Sequence, residues 1–245
     1  MNSTVDKTEV NHFDKPNQDW WDESGSFSAL HRLTPCRIEY IVQVIKRNII
    51  NQQINSSTQI CNNLNILDVG CGGGLLCEPL SRLGGNVTGI DVSENAIITA
   101  KQHASKMGLK INYICTSLEE LNLKKDFDLI IASEVIEHVL DRKYFLKMIR
   151  KISSNKTSFI FTTINKSIPS LLFGKFAAEY ILNLIPKGTH DWEKFVTPQK
   201  LYLEALENGI YLNNFSGLTP NVFNKEFNLT SYLGINYAAS GIVRV

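Results

Sequence analysis

Short apolar runs alternating with helical patterns predict an α/β protein: a mostly parallel sheet covered by helices on both faces and ending in an antiparallel edge. Three observations carry that expectation. The runs NILDV, NVTGID, INYIC, FDLIIAS and TSFIFTTI read as buried strands, most of them followed by a helical segment. A turn with four glycines, Gly70, Gly72, Gly73 and Gly74, follows the first of them. The chain then closes on two extended stretches, GIYLNNFSGLT and GINYAASGIVRV, which suit an antiparallel edge.

Taken in order, residues 1–18 (MNSTVDKTEVNHFDKPNQ) are polar and lack an apolar targeting core, so they are expected to be disordered or loosely held. One domain is expected over residues 19–245. It opens with a helical cap, residues 19–50, whose helix is expected to begin near Pro35, since proline suits a first turn. Trp20 and Trp21 in this cap must bury against something. Residues 51–63, rich in Asn, Gln and Ser, read as a linker. The strand Asn65–Val69 leads through the glycines to a helix over Leu75–Leu83. A second strand, NVTGID, leads to a helix with Ser93 as N-cap. A helix over Asp141–Ile152 follows the fourth strand, an apolar insert over residues 165–191 follows the fifth, and Thr197-Pro198 starts the last helix.

Composition excludes several classes. The net charge is +1, which gives no basic field for a nucleic-acid backbone. Cys36, Cys61, Cys71, Cys77 and Cys115 are odd in number and form no CxxC pair, so free thiols in a reducing, cytoplasmic compartment are expected rather than zinc or disulfides. The longest apolar segment, Ile168 to Pro186, is interrupted by Lys175 and Glu179, which argues against a membrane span.

The glycine turn raises the question of its ligand. In such sheets the first strand-to-helix turn cradles a nucleotide-like group at the carboxyl ends of the strands. A dinucleotide fingerprint needs G-x-G-x-x-G, but counted from Gly70 its third glycine falls on Leu75. The pattern is instead D-x-G-x-G-x-G, with Asp68, Gly70, Gly72 and Gly74. A carboxylate before the first glycine would repel a diphosphate and tolerates a cationic ligand. Asp91, ending the next strand, stands where an acid accepts both hydroxyls of a ribose. A ribose with cationic groups and no phosphate describes S-adenosylmethionine. The bland alternative is that the glycines only permit close helix packing and Asp91 only caps the next helix.

These residues resemble a class I methyltransferase of Rossmann-like fold. DVGCGGG and SEVIEHV are shared widely in that class, whereas WWDESGSFSALHRLTPCRIEYI and AEYILNLIPKGTHDWEKF resemble more narrowly the ubiquinone biosynthesis O-methyltransferase family. The resemblance runs from about Trp20 to Phe195. It implies a sheet of seven strands and O-methylation of polyprenylated catechol or quinol intermediates at two steps of the pathway. It also places cofactor contacts on Arg37, Gly70, Asp91 and Ser133, beside Asp68 and Gly72 of the glycine pattern. Arg37 suits the methionine carboxylate of the cofactor, which a guanidinium can clamp, and a surface ion pair is its bland alternative. At Ser133 the family often has a larger residue such as Met.

SEVIEHV carries the acceptor chemistry. If helical, it sets Glu134, Glu137 and His138 on one face at i, i+3 and i+4, beside the methyl group. Three readings stay open. The three side chains could hold Mg²⁺, which would acidify and orient a catechol. His138 could act as general base, oriented by Glu134 or Glu137. Or Glu134 and His138 form only a helical pair while Glu137 faces solvent. His190 and Asp191 are alternative acid–base groups if the insert folds over the site.

In the insert, Leu171, Leu172, Phe173, Phe176, Ala177, Tyr180, Ile181, Leu184 and Ile185 recur at spacings of three and four, giving one apolar face. Core packing is one reading. The other is an interfacial helix over residues 168–186 that delivers an isoprenoid substrate from the inner face of the inner membrane, with Trp20, Trp21 and Phe27 as the opposite wall of the entrance. Complexes with other enzymes of the quinone pathway fit the same picture. Competing functions are methylation of another small phenol, carboxylate or amine, which would not need the insert, and a non-catalytic cofactor-binding or scaffolding role. A nicotinamide oxidoreductase is disfavoured by Asp68 and Leu75.

Overall fold

The computed structural model describes residues 3–6, 20–49, 59–123, 126–171, 192–221, 224 and 226–243. Its sheet has eight strands in the order β3-β2-β1-β4-β5-β8-β6-β7. These are β1 (Asn65–Val69), β2 (Asn86–Asp91), β3 (Asn112–Cys115), β4 (Leu129–Ser133), β5 (Ser158–Ile164), β6 (Ile210–Pro220), β7 (Phe227–Thr230) and β8 (Asn236–Val243). β3, β2, β1, β4 and β5 run parallel, while β8, β6 and β7 add antiparallel pairs. The mostly parallel sheet with an antiparallel C-terminal edge is therefore present. It carries one strand more than seven, because the four-residue β7 pairs with the far end of the long β6.

The helices are α1 (Ser28–Asn48), α2 (Cys77–Arg82), α3 (Glu94–Lys106), α4 (Arg142–Lys151) and α5 (Pro198–Glu207). They cover both faces, and alternation along the strands decides which residue serves which. Ile66, Ile131 and Ile160 join a core with Tyr40, Ile41, Val44 and Ile45 of α1, Leu80 of α2 and Ile97 and Ala100 of α3. Their neighbours Leu67, Ile130, Phe159 and Phe161 join a second core with Phe145 and Ile149 of α4 and Leu201 and Ala205 of α5. Three helices start on the caps their sequences supply: Ser93, Asp141 and Thr197 each accept a backbone N–H in the first turn.

α1 departs from expectation, since it begins seven residues before Pro35 and carries that proline inside. Proline cannot donate to the carbonyl four residues back and crowds it. The carbonyl that loses its helical donor is that of His31, while one residue earlier the Leu30 carbonyl accepts from Thr34 Oγ1 (2.8 Å) and an Arg37 nitrogen (3.2 Å). Of the N-terminal stretch, residues 3–6 are described. Among residues expected to be loose, Thr4 is buried, its backbone N–H donates to Glu119, its carbonyl accepts from Leu140 N–H at 3.1 Å, and Asp6 pairs with Lys194 at 3.1 Å. The remainder of residues 1–18, most of the linker and residues 172–191 of the insert, with His190 and Asp191, lie outside the described residues. Among the described residues no helix is long and apolar enough to cross a membrane.

Candidate functional site

The chain leaves β1 for β2 and β3 on one side and returns through β4 on the other. This reversal opens the crevice where ligands of such sheets bind. The turns after β1 and β4, which carry most of the residues expected at the site, flank it, whereas His190 and Asp191 lie outside the described residues. The turns after β1 and β4 touch there: a Cβ added to Gly70 would lie 2.5 Å from Val135 Cγ2.

The glycine turn is held to the end of β2. Gly70 and Cys71 donate N–H bonds to the Ile90 carbonyl at 2.8 and 3.0 Å. Asp91 then accepts from Gly72 N–H at 2.8 Å through one carboxylate oxygen and from Ser93 N–H at 2.9 Å through the other. Each oxygen keeps acceptor capacity, and the residue is only half-buried, so a diol can still approach. Asp91 is thus a clamp for the turn, while the helix cap is Ser93 itself, whose Oγ accepts from Ala96 N–H at 3.1 Å.

Gly70, Gly72 and Gly74 have φ of +71°, +52° and +90°, a region that side chains resist. Gly73 is required for another reason. An added Cβ would come within 2.4 Å of Trp20 Cβ and Cγ, because that side chain lies directly on the turn. Trp20 stacks on Phe27 at 3.9 Å. Trp21 donates its indole N–H to the Gly73 carbonyl at 3.1 Å and stacks on His103 at 3.6 Å, whose Nδ1 is 2.6 Å from the buried Glu78 carboxylate. Trp20 and Trp21 therefore cover the glycine turn, with Phe27 stacked behind Trp20; residues 172–191, the insert side of the entrance expected from sequence, lie outside the described residues. The doublet signalled burial. Nothing in its spacing signalled the partner, and Glu78 and His103 carried no signal at all.

Asp68 is fully enclosed on the α1 face, where Cys77 Sγ–H donates to it at 3.2 Å. Burial raises its carboxyl to about 7, opposed in part by the Cys77 bond and the charge of Arg37. Burial also raises the thiol of Cys71 to about 11. Cys36, Cys61, Cys71, Cys77 and Cys115 are all free thiols.

Arg37 is 4% exposed. Burial pulls its guanidinium down, and the carboxylates of Glu134 and Asp68 push it back up. Three of its five N–H groups are used: one nitrogen donates to Ser133 Oγ at 2.8 Å, the other to Thr34 Oγ1 at 2.8 Å and to the Leu30 carbonyl. Its Nε is buried with no partner among the described residues. An orphaned cationic donor at the crevice fits a ligand carboxylate. The surface ion pair considered from sequence is thereby excluded by its burial.

SEVIEHV is not helical. Ser133 ends β4, Glu134 turns out of it at φ +56°, and one turn closes with His138 N–H on the Val135 carbonyl at 2.9 Å. The expected i, i+3, i+4 face therefore does not form. The two carboxylates are anchored instead by consecutive threonines of β5, Glu134 by Thr162 Oγ1 and Glu137 by Thr163 Oγ1, each at 2.7 Å. Consecutive strand residues point to opposite faces, so Glu134 is drawn toward the α1 side and Glu137, which is buried, toward the α5 side. Glu137 thus does not face solvent, and Glu134 and His138 do not form a helical pair. Among the described residues no group of three His, Cys, Asp or Glu is assembled to hold a metal ion. As placed, Glu134, Glu137 and His138 do not fit a ready-made Mg²⁺ site.

Residues 67–161 match the family model of the methyltransferase domain. Solved structures share the fold: the magnesium protoporphyrin IX methyltransferase of Synechocystis PCC 6803 with bound SAH, at TM-score 0.63 and 15% identity, covering 97% of this chain and 94% of that one. The plantazolicin methyltransferase in complex with an analogue and SAH matches at TM-score 0.61 and 15% identity, over 98% and 91%. Among curated proteins, the ubiquinone biosynthesis O-methyltransferase of Pelagibacter ubique is 42% identical over 97% of each chain. Those of Bradyrhizobium diazoefficiens, over 98% of this chain and 95% of its own, and Rickettsia prowazekii, over 96% and 90%, are each 39% identical. With this identity sustained along nearly its whole length, the chain belongs to the ubiquinone biosynthesis O-methyltransferase family.

Proposed function

We infer that this protein is an enzyme that transfers the methyl group of S-adenosylmethionine to a phenolic oxygen of polyprenylated catechol or quinol intermediates in ubiquinone biosynthesis, at both O-methylation steps. The observation that carries this reading is the cradle at the sheet reversal, where Asp91 clamps the glycine turn and the buried Arg37 keeps an unused donor. Membership of the family narrows the acceptor. When bound, the cofactor supplies an electrophilic methyl group on a sulfonium. The chain's residues do the rest. Asp91 takes the ribose hydroxyls, Arg37 the carboxylate, and the acid Asp68 favours the cationic end. Gly70 and Gly72 let the backbone approach, and Ser133 holds Arg37. Trp20 and Trp21 close the turn against water. On the acceptor side, His138 removes the phenolic proton while Glu134 and Glu137 fix the turn that carries it.

Residues 19–245 are read as one catalytic unit, with the spacing of apolar residues in 168–186 supporting an insert that meets the membrane surface and receives the isoprenoid tail. That location would put the enzyme at the inner face of the inner membrane, within reach of other pathway enzymes. A second reading, in which Glu134, Glu137 and His138 would hold Mg²⁺ and the ion would acidify a catechol hydroxyl, is disfavoured by the anchoring of the two carboxylates toward opposite faces of the sheet. The test is methyl transfer from labelled S-adenosylmethionine to a short-chain polyprenyl catechol, with chelator and with Mg²⁺ restored. Labelled ether product supports the assignment, and no product with the cofactor bound overturns the acceptor. Turnover indifferent to chelator supports His138 as the base. Turnover lost on chelation and restored by Mg²⁺ supports the ion.

A further inference from the structure

An unbroken line of hydrogen bonds, the first two buried and the third half-buried, joins the two halves of the site. Arg37 donates to Ser133 Oγ at 2.8 Å, Ser133 Oγ lies 2.7 Å from Thr162 Oγ1, and Thr162 Oγ1 donates to Glu134 Oε1 at 2.7 Å. The direction of the middle bond follows from the ends. A guanidinium only donates and an ionised carboxylate only accepts, so the single proton of Thr162 goes to Glu134 and that of Ser133 goes to Thr162. Every bond then points from the cation to the anion, an arrangement in which each polarises the next. Thr162 also grips the same residue through its backbone, since its carbonyl accepts from Glu134 N–H at 2.9 Å. Both grips fall on a non-glycine residue with φ of +56°, a conformation that persists only where surroundings over-determine it.

We propose that Thr162 is a positioning residue: its hydroxyl and carbonyl together lock Glu134 into one orientation at the acceptor side and tie that orientation to the arginine at the cofactor side. This rests on the reading above, in which Glu134 serves the acceptor side. Occupation of Arg37 by the cofactor then reaches Glu134 through two hydroxyls, without any movement of the sheet. Thr163 gives Glu137 a comparable bond at 2.7 Å but has no link to Arg37 among the bonds described.

The test compares kcat and cofactor affinity in Thr162→Val, Thr162→Ser, Glu134→Gln and the Thr162→Val/Glu134→Gln double variant. Valine keeps the β-branched shape that suits β5 and deletes only the hydroxyl. Losing one hydrogen bond to a charged group is expected to lower kcat by roughly ten- to a hundredfold. Cofactor affinity is expected to stay within about threefold, because Ser133 still accepts from Arg37. Thr162→Ser restores the rate, and the double variant is no slower than Glu134→Gln alone. A wild-type rate in Thr162→Val, equal slowing by the serine variant, or losses that multiply would each overturn the inference while leaving the methyltransferase reading intact. If the wild-type chain makes no product from the polyprenyl catechol, that reading falls first. Crystals of Thr162→Val then decide the inference alone: a displaced Glu134 carboxylate supports it, and an unmoved one overturns it. Should Thr162→Val not fold, Ser133→Ala breaks the same line one bond earlier and is expected to slow turnover likewise.

Discussion

The turn after β1 and the turn after β4 lie side by side but are built on different principles. The first is a backbone object: three glycines at positive φ, a carboxylate on two amide N–H groups, and an indole laid on the surface. The second is a side-chain object: one residue, Glu134, bears the left-handed turn despite its side chain, and threonines of β5 hold its acids. A backbone cradle can hold the parts of a cofactor that the reaction leaves unchanged, such as a ribose. A turn held by side chains can present proton-handling groups to an acceptor. Cofactor affinity should therefore reside in the first region and turnover in the second, and each variant below bears on that division.

The largest expected effect is that of Asp91→Ala. It removes the acceptor for Gly72 and Ser93 N–H as well as the proposed ribose contact, so affinity for S-adenosylmethionine measured by calorimetry is expected to fall more than roughly a hundredfold. Unchanged affinity would sink the ribose assignment, and the lost clamp is expected to lower the melting temperature as well. Gly73→Ala is a finer probe of the same region, since Gly73 does not have a positive φ and the atoms nearest an added Cβ are all of Trp20. Displacing that ring is expected to weaken cofactor affinity roughly tenfold. Quenching of tryptophan fluorescence by acrylamide should rise with it, and an unchanged quenching constant would contradict the cover.

The smallest effect concerns pH. In the folded protein Asp68 keeps its proton to about 7, against 3.8 for an ordinary aspartate. Between these values the folded state holds a proton that the unfolded chain has released. The resulting contribution to stability is complete below about 3.8 and is lost as pH rises through about 7. Asp68→Asn is expected to remove this downward slope from the melting temperature between pH 4 and 7. Parallel curves for both proteins would refute the buried acid.

The same contrast explains what could be read in the sequence. β1, β2, the Ser93 cap and the glycine pattern were legible, because strand period, capping chemistry and positive φ are local demands written at fixed spacing. Asp68, Asp91, Gly70 and Gly72 lie where that spacing put them. SEVIEHV invites a helical reading because Glu134, Glu137 and His138 at i, i+3 and i+4 mimic a helix face. What prevents the helix is distant in sequence: the Thr162 carbonyl takes the Glu134 N–H, and two β5 hydroxyls separate the carboxylates. Pro35 suggested a first turn because proline is tolerated there, yet α1 begins at Ser28 and carries it inside, a position its local sequence does not announce. Trp20 lying on Gly73 is a tertiary contact between residues more than fifty positions apart, and no local pattern announces it.

The most direct test of the division sets Glu137→Gln beside Asp91→Ala, measuring for each both the calorimetric affinity for S-adenosylmethionine and methyl transfer to a short-chain polyprenyl catechol at saturating cofactor. Glu137→Gln weakens a buried carboxylate that Thr163 holds at 2.7 Å. It is expected to slow turnover by roughly ten- to a hundredfold while cofactor affinity stays near wild type. Asp91→Ala is expected to lose affinity first and to regain much of its rate as cofactor is raised. Equal losses of affinity and turnover in both variants would contradict the account and make the two turns one structural unit.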